Sequence, residues 1–397
     1  MTATLRIAVR RFGPFEAAIA QQFADFARTT GCTARLEAVP LDLNPLHAAL
    51  FAGRELLTPQ WDIAFLPTDW IAEAQALGLV EDLRPWLARQ PIAGFPDAWS
   101  PSLLGLQDFA GGLWGMPYHD GPQCLIYRTD LLSAAGLDVP ATWAEFHAAA
   151  RRLHDLARGV HGTVLALFPD GHNSFYDFCV QIWSRGGAPF DAAGRPRFAT
   201  AEGAAALDFL RTLASDADAV APGLRDIDSV RSGLMFCEGR VALMANWFGF
   251  AALAETWEES QVAGKVDIAP LPAGPGGESI SLNVFWMLAI AAGSAQKPLA
   301  WEFLRHCASA PMDRLTTLAG GIGVRRSTWD DPEVNRIVPY SRKLGLLHAR
   351  ARTLPANPLQ AQVAAEVDAM MTEAHGTDRP SAELLEALQE RVAAIGA

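Results

Sequence analysis

Apolar residues in the first eighty positions switch repeatedly between a period of two and a period near 3.6, and this alternation restricts the fold more than any other feature. Leu5, Ile7 and Val9 alternate as a strand does, and Phe15, Ile19, Phe23 and Phe26 then recur at helical spacing. Thr33 to Val39 alternates again, and Pro45 to Gly53 reads as a short helix with Asn44 at its N-cap. Trp61 to Leu66 is a third strand, and the helix from Asp69 to Leu77 stops at Gly78. Strand and helix in units of this length imply βαβ connections and a parallel sheet. Ligands of such sheets bind outside the carboxyl ends of the strands, near helix N-termini. Arg10 to Phe15, Leu41 to Asn44 and Pro67 to Trp70 are therefore expected on one shared edge.

A second region follows Tyr118. Cys124 to Tyr127 is a short apolar strand, and Thr142 with Glu145 has the spacing of a capping box. Thr200 to Ala214 reads as a helix, Arg240 to Ala245 and Val266 to Ala269 as strands, and Asn283 to Ile290 as a further strand after a Gly/Pro loop. The helix Leu299 to Ala308 precedes Gly320-Gly-Ile-Gly, and the remainder is mainly helical, with Ala361 to Met371 and Ala382 to Ile395 amphipathic.

The length of 397 residues suggests two domains. A net charge of -12, with lysine only at 265, 297 and 343, argues against a nucleic-acid partner, which needs clustered cations. No apolar run approaches the ~18 residues of a membrane span, since Val284 to Ala292 ends at Gly293. The stretch from Met1 to Arg11 offers no charged n-region followed by an apolar h-region, so no signal peptide is expected within it. Cys32, Cys124, Cys179, Cys237 and Cys307 form no C-x-x-C pair and are expected as small buried hydrophobes. No nucleophile elbow, Walker A loop, H-E-x-x-H helix or EF-hand loop is present, so the sequence points to no catalytic residue, no cofactor and no metal.

Several segments together resemble the extracellular solute-binding proteins of type 1, the sugar-binding subunits of ABC importers related to maltodextrin-binding protein. They are Asp62-Ile-Ala-Phe-Leu with Trp70 and Leu77-Gly-Leu-Val-Glu-Asp-Leu, then Gly112-Leu-Trp-Gly-Met-Pro-Tyr, Leu125-Ile-Tyr-Arg-Thr-Asp-Leu-Leu and Ala135-Gly-Leu-Asp-Val-Pro-Ala-Thr-Trp-Ala-Glu-Phe. Phe236-Cys-Glu-Gly-Arg-Val-Ala-Leu-Met, Ala269-Pro-Leu-Pro-Ala-Gly-Pro-Gly-Gly, Ala300-Trp-Glu-Phe-Leu and Gly320-Gly-Ile-Gly-Val-Arg-Arg-Ser follow in the family's order. One departure, Arg128-Thr129 in place of the family's usual Asn-Lys, is expected as a surface change.

The resemblance implies an α/β, two-lobed periplasmic-binding-protein type II fold with three hinge crossovers and a ligand cleft between the lobes. Residues 1–118 with 266–319 would form one lobe, and 119–265 with 320–397 the other. The crossovers would fall near Tyr118 to Pro122, Lys265 to Asp267 and Gly320 to Val324, with Tyr118, Pro122, Gly320, Gly321 and Gly323 as hinge residues. The implied function is capture of a small polar solute, a saccharide or polyol, by a monomer that presents it to membrane permease subunits outside the cytoplasm. A cytoplasmic sugar sensor and a carbohydrate-active enzyme are the alternatives.

A neutral sugar presents hydroxyls and apolar C–H faces, so its site needs carboxylates and amides beside flat rings. Phe12, Asp69 and Trp70 lie on strand-end loops, with helix capping the other role open to Asp69. His119 and Asp120 lie on the first crossover and either bind hydroxyls or satisfy each other. His172, Asn173 and Tyr176 occupy a polar loop before an apolar helix, where Asn173 is alternatively an N-cap. Trp247 falls where relatives often stack a sugar ring; Asn283 and Trp286 are ligand contacts or core. Trp61, Trp143, Trp183 and Trp301 are expected in the core.

Overall fold

Two sheets organise the chain, each at the centre of its own unit. The computed structural model describes residues 3–395. The elements that position the candidate residues are, in chain order, β1 (Thr4–Arg10), α1 (Gly13–Thr30), β2 (Arg35–Leu41), β3 (Ile63–Pro67), β4 (Met116–His119), β5 (Gln123–Arg128), α2 (Trp143–Leu153), α3 (Asn173–Trp183), α4 (Ala201–Ala214), β6 (Leu243–Trp247), β7 (Val266–Ala269), β8 (Ser281–Leu282), β9 (Trp286–Ile290), α5 (Lys297–Cys307), α6 (Ala310–Leu318), β10 (Ala351–Arg352), α7 (Gln360–Gly376) and α8 (Ser381–Ala393). Met1 and Thr2, where the N-terminal reading began, lie outside the described residues.

The first unit contains the chain up to Gly121, Val284–Arg342 and Ala356–Pro358. Its sheet runs in the order β2-β1-β3-β9-β4. β1 is parallel to β2 and β3, as the alternation of periods requires, while β9 runs antiparallel to β3 and β4. The core side is built by α1, whose helical-period residues Phe15, Ala18, Ile19, Phe23 and Phe26 are buried. Burying side chains of this size is worth roughly 1.5–3 kcal/mol each. Pro14 sits in the first turn of α1 and Gly31 closes it at φ 71°.

The second unit contains Pro122–Asn283, Lys343–Pro355 and the chain from Leu359. β5 is its central strand: β8, β6 and β7 all pair with it antiparallel, and β10 extends the sheet beyond β8. α3 packs on α4, and both pack on α7. The expected capping box opens α2: Thr142 Oγ1 accepts from Glu145 N at 3.2 Å, and Glu145 Oε2 accepts from Thr142 N at 3.0 Å. Buried Trp143 follows it and donates its indole N–H to Ser184 Oγ at 3.0 Å.

The expected lobe boundaries need correction at each of the three expected crossovers. β7 pairs with β5 along Leu125–Arg128, so residues 266–283 belong to the second unit and the chain returns to the first at Asn283–Val284, not near Lys265. Gly320, Gly321 and Gly323 lie inside the first unit, where Asp313 of α6 ties the segment down. Its carboxylate accepts from Val324 N (2.8 Å), Arg325 N (3.1 Å) and Thr328 Oγ1 (2.5 Å), and Gly323 N donates to Thr317 Oγ1 at 2.8 Å. A Cβ on Gly323 would sit 2.7 Å from Asp313 Oδ2, so close packing explains this glycine and a hinge does not. Tyr118 is likewise interior to the first unit, its hydroxyl donating to Gln22 Oε1 at 2.9 Å. The first passage falls at Gly121–Pro122, where Gly121 has φ 153°, a conformation that side-chain-bearing residues resist.

Smaller corrections follow local hydrogen bonding. The helix predicted from Pro45 begins at Leu43 with Asp42 as N-cap, so Asn44 lies inside it, and a π turn occupies Ala48–Ala52. The strand predicted at Arg240 starts at Leu243, and that predicted at Asn283 starts at Trp286. Four cysteines are buried, while Cys32 is partly exposed at the end of α1. Trp61, Trp143 and Trp301 are core residues; Trp183 stays partly exposed. Among the described residues no helix is long and apolar enough to cross a membrane.

Candidate functional site

In the first unit the parallel order of β2, β1 and β3 puts their carboxyl ends on one edge, as the βαβ pattern predicts. The antiparallel strand β9 begins there: Trp286 lies opposite Pro67 of β3 on one side and His119 of β4 on the other. Topology thus gathers Phe12, Asp69, Trp70, His119, Asp120 and Trp286 from positions far apart in sequence.

Aromatic contacts fix the geometry of this edge. Phe15 meets His119 edge-on at 4.7 Å and Trp286 at 6.1 Å, while Phe12, partly exposed, lies 6.3 Å from His119. Trp286 keeps part of its surface accessible and approaches Trp70 at 6.3 Å. Trp70 is backed by His47 at 4.8 Å and Phe51 at 5.7 Å, two residues that the sequence reading missed. Their signal was the i, i+4 spacing of His47 and Phe51 within the segment read as a helix. The N-cap position of the helix after β3 falls to Trp70, one residue beyond Asp69.

His119 and Asp120 both bond to the backbone of Ile322. Ile322 N donates to His119 Nδ1 at 2.9 Å, and Asp120 N donates to Ile322 O at 3.0 Å, so both are pinned to the Gly320–Gly323 segment. An acceptor Nδ1 places the proton of the neutral ring on Nε2. Burial disfavours the imidazolium and lowers the pKa of His119 to about 3.

In the second unit the candidates converge at the N-terminus of α3 and the end of β6. Asp170 does the capping that was allowed to Asn173: its Oδ1 accepts from His172 N (2.9 Å) and Asn173 N (3.0 Å), and its Oδ2 from Asn173 Nδ2 (2.5 Å). This bond pulls the Asn173 amide back onto the loop. One turn on, the Tyr176 hydroxyl and His172 Nδ1 are 2.6 Å apart, and the Tyr176 ring meets Trp247 at 5.6 Å with planes at 90°. Trp247 N donates to Asn246 Oδ1 at 2.7 Å, and Asn246 Nδ2 is anchored on Ser229 O and Ser232 Oγ. Asn283 is fully buried and its backbone N donates to Arg352 O at 2.8 Å, which extends the pairing of β8 with β10.

Three further acidic or amide residues belong to this corner and were not singled out from the sequence. Gln123 Nε2 donates to Asp177 Oδ1 at 2.7 Å, and Gly171 N donates to Asp368 Oδ2 at 2.7 Å. Burial, with Asp170 adding repulsion, pushes Asp177 and Asp368 each up to about 7. Among the described residues no cluster of three His, Cys, Asp or Glu side chains is arranged to hold a metal ion. The chemistry on offer is that of recognition: flat rings, hydroxyl and imidazole groups, amides and carboxylates.

The sequence model of bacterial extracellular solute-binding proteins matches residues 14–313. A probable ABC transporter-binding protein of Deinococcus radiodurans is 25% identical over 337 residues, covering 83% of this chain and 78% of that one. Maltose-bound MalE3 of T. maritima superposes with a TM-score of 0.89 at 22% identity, covering 99% of this chain and 100% of that one. An ABC transporter solute-binding protein of Agrobacterium radiobacter K84 in complex with ribitol gives a TM-score of 0.88 at 24% identity, with 98% of each chain covered.

Proposed function

The chain belongs to the bacterial extracellular solute-binding proteins, and we propose that within them it captures a neutral polyhydroxylated solute, a small saccharide or polyol, for an ABC importer. The observation that carries this reading is the corner of Tyr176 and Trp247, where an accessible ring lies beside hydroxyl, imidazole and amide groups. Sugars and polyols need that combination, because their C–H faces stack on rings while their hydroxyls need donors and acceptors. The ribitol and maltose bound by two proteins of the same fold support the choice of class.

In this reading each unit contributes its own set of candidate side chains. Trp70, Trp286, Phe12, Asp69, His119 and Asp120 would come from the first unit, and Tyr176, Trp247, His172 and Asn173 from the second. Trp247 offers the stacking face, Tyr176 and His172 exchange hydrogen bonds with hydroxyls, and the carboxylates accept from vicinal hydroxyl pairs. The chain passes between the units at Gly121–Pro122, Asn283–Val284, Arg342–Lys343, Pro355–Ala356 and Pro358–Leu359, and the hinge role first expected of the Gly320–Gly323 segment goes to these passages. The protein acts as a monomer, outside the cytoplasmic membrane, and leaves its solute chemically unchanged.

A thermal-shift screen tests the reading, since a solute that binds only the folded state stabilises it by RT ln(1 + [L]/Kd), about 2.7 kcal/mol at a hundredfold excess over Kd. Ribitol, D-mannitol, tagatose and maltose form one arm; amino acids and dipeptides form the other. Stabilisation by a member of the first arm, recovered unaltered after incubation, is the expected result. Stabilisation confined to the second arm, or conversion of a saccharide, overturns it.

A further inference from the structure

Gln123 stands in the same corner with one end of its amide unused. The residue is 3% exposed; its Nε2 donates to Asp177 Oδ1 at 2.7 Å, and its Oε1 has no hydrogen-bond partner among the described residues. Gln123 is directly opposite Trp247 in the antiparallel register of β5 and β6, so both side chains leave the same face of the sheet. Tyr176, whose ring meets Trp247, immediately precedes Asp177 on α3. A buried amide carbonyl left without a donor is costly, and folded proteins rarely keep one without a use.

The orientation of this amide is set from behind. A glutamine offers a donor at one end and an acceptor at the other, whereas an ionised carboxylate only accepts. Asp177 therefore selects the end that faces it, the NH₂, and leaves the carbonyl to face away.

We propose that Gln123 is a specificity-determining residue whose Oε1 accepts a hydrogen bond from one hydroxyl of the solute, and that Asp177 is the positioning residue that turns this acceptor outward. The proposal rests on the polyol or saccharide reading above and sharpens it. The site reads a donor at this point, so a solute with hydrogen or an ether oxygen in place of that hydroxyl is discriminated against.

The test is calorimetric titration at pH 8.5, above the value of about 7 to which burial raises Asp177, so that its carboxylate is ionised. The probes are ribitol and D-mannitol with their monodeoxy analogues, applied to the native chain, Gln123→Met and Asp177→Asn. Gln123→Met is expected to weaken binding of the parent polyol about tenfold, the scale of a lost buried hydrogen bond. One monodeoxy analogue should show the same loss with the native chain and no further loss with Gln123→Met. Asp177→Asn can donate to Gln123 Oε1 and turn the amide round, so it should weaken the parent polyol while sparing that analogue, a pattern that mere loss of structure does not produce. It carries the test without altering Gln123, should Gln123→Met not fold. Equal losses for every analogue, or native affinities in both variants, overturn the inference and leave the solute class standing. Failure of every polyol to bind the native chain overturns both.

Discussion

Tyr176 and Trp247 stand perpendicular, their ring centroids 5.6 Å apart, so the two rings brace each other while Trp247 stays partly exposed. Such a pair adds about 0.5–1.5 kcal/mol beyond area burial, and it holds the indole plane still before any solute arrives. Trp247→Ala is expected to weaken binding by about 2 kcal/mol, near thirtyfold, the scale of an aromatic hot spot. The melting temperature of the solute-free protein should move little, because Trp247 ends its strand. Titration calorimetry on a folded variant with undiminished affinity would remove Trp247 from the site.

His119 gives a pH signature. Its pKa in the folded protein is about 3 against an ordinary 6.5, so between these values the unfolded chain binds the extra proton. Stability from this residue is complete above pH 6.5 and is lost as pH falls toward 3, with a limiting slope of about 1.4 kcal/mol per pH unit. Asp313 works the other way: its carboxyl, raised to about 6 by burial, favours the folded state below pH 4 and loses that contribution as pH rises to 6. Comparing denaturation of the native chain with His119→Gln at each pH cancels Asp313. The native chain should lose stability faster on acidification, and parallel curves would show that His119 binds protons equally in the folded and unfolded chain.

Gly323→Ala should destabilise the first unit by about 1–3 kcal/mol, since its Cβ would fall 2.7 Å from Asp313 Oδ2 in a packed site. Urea unfolding measures this directly. A neutral result would return the segment to the list of candidate hinges.

If the corner of Tyr176 and Trp247 holds the solute, its binding should slow amide exchange in His172–Asp177 of α3. Exchange followed by mass spectrometry at saturating ribitol, or whichever polyol binds, is the measurement. Unchanged exchange in that segment at saturation would remove the corner from the site.

The strands, the first-unit edge and the capping box were legible because they rest on local periodicity and on short-range hydrogen bonds. Phe15, Ile19, Phe23 and Phe26 announce their helix, and Thr142 with Glu145 announces the next, whatever packs around them. The course of the chain between units was less legible because β7 owes its place to pairing with β5, more than a hundred residues away, which no local pattern encodes. The glycines of the Gly320–Gly323 segment misled for a related reason. A glycine required by a close neighbour reads in sequence like one required by a free dihedral angle, and only Asp313 tells them apart. Gln123 escaped notice because it sits in an otherwise apolar strand, and its meaning comes from Asp177 across the fold.

The position of β9 in the first sheet bears on the order of assembly during synthesis. β9 lies between β3 and β4 and hydrogen-bonds to both, yet the ribosome makes it only after the whole of Pro122–Asn283. At ordinary elongation rates β3 and β4 wait roughly 10–30 s for the strand that joins them. Throughout that interval the sides of β3 and β4 that will pair with β9 are unpaired, while β5 and β6 of the second unit are already available to pair. Pairing between sequence-distant strands closes slowly, so the first sheet stays incomplete until Trp286–Ile290 has emerged, at a point when Lys343–Pro355 and the chain from Leu359, which complete the second unit, are still to be made.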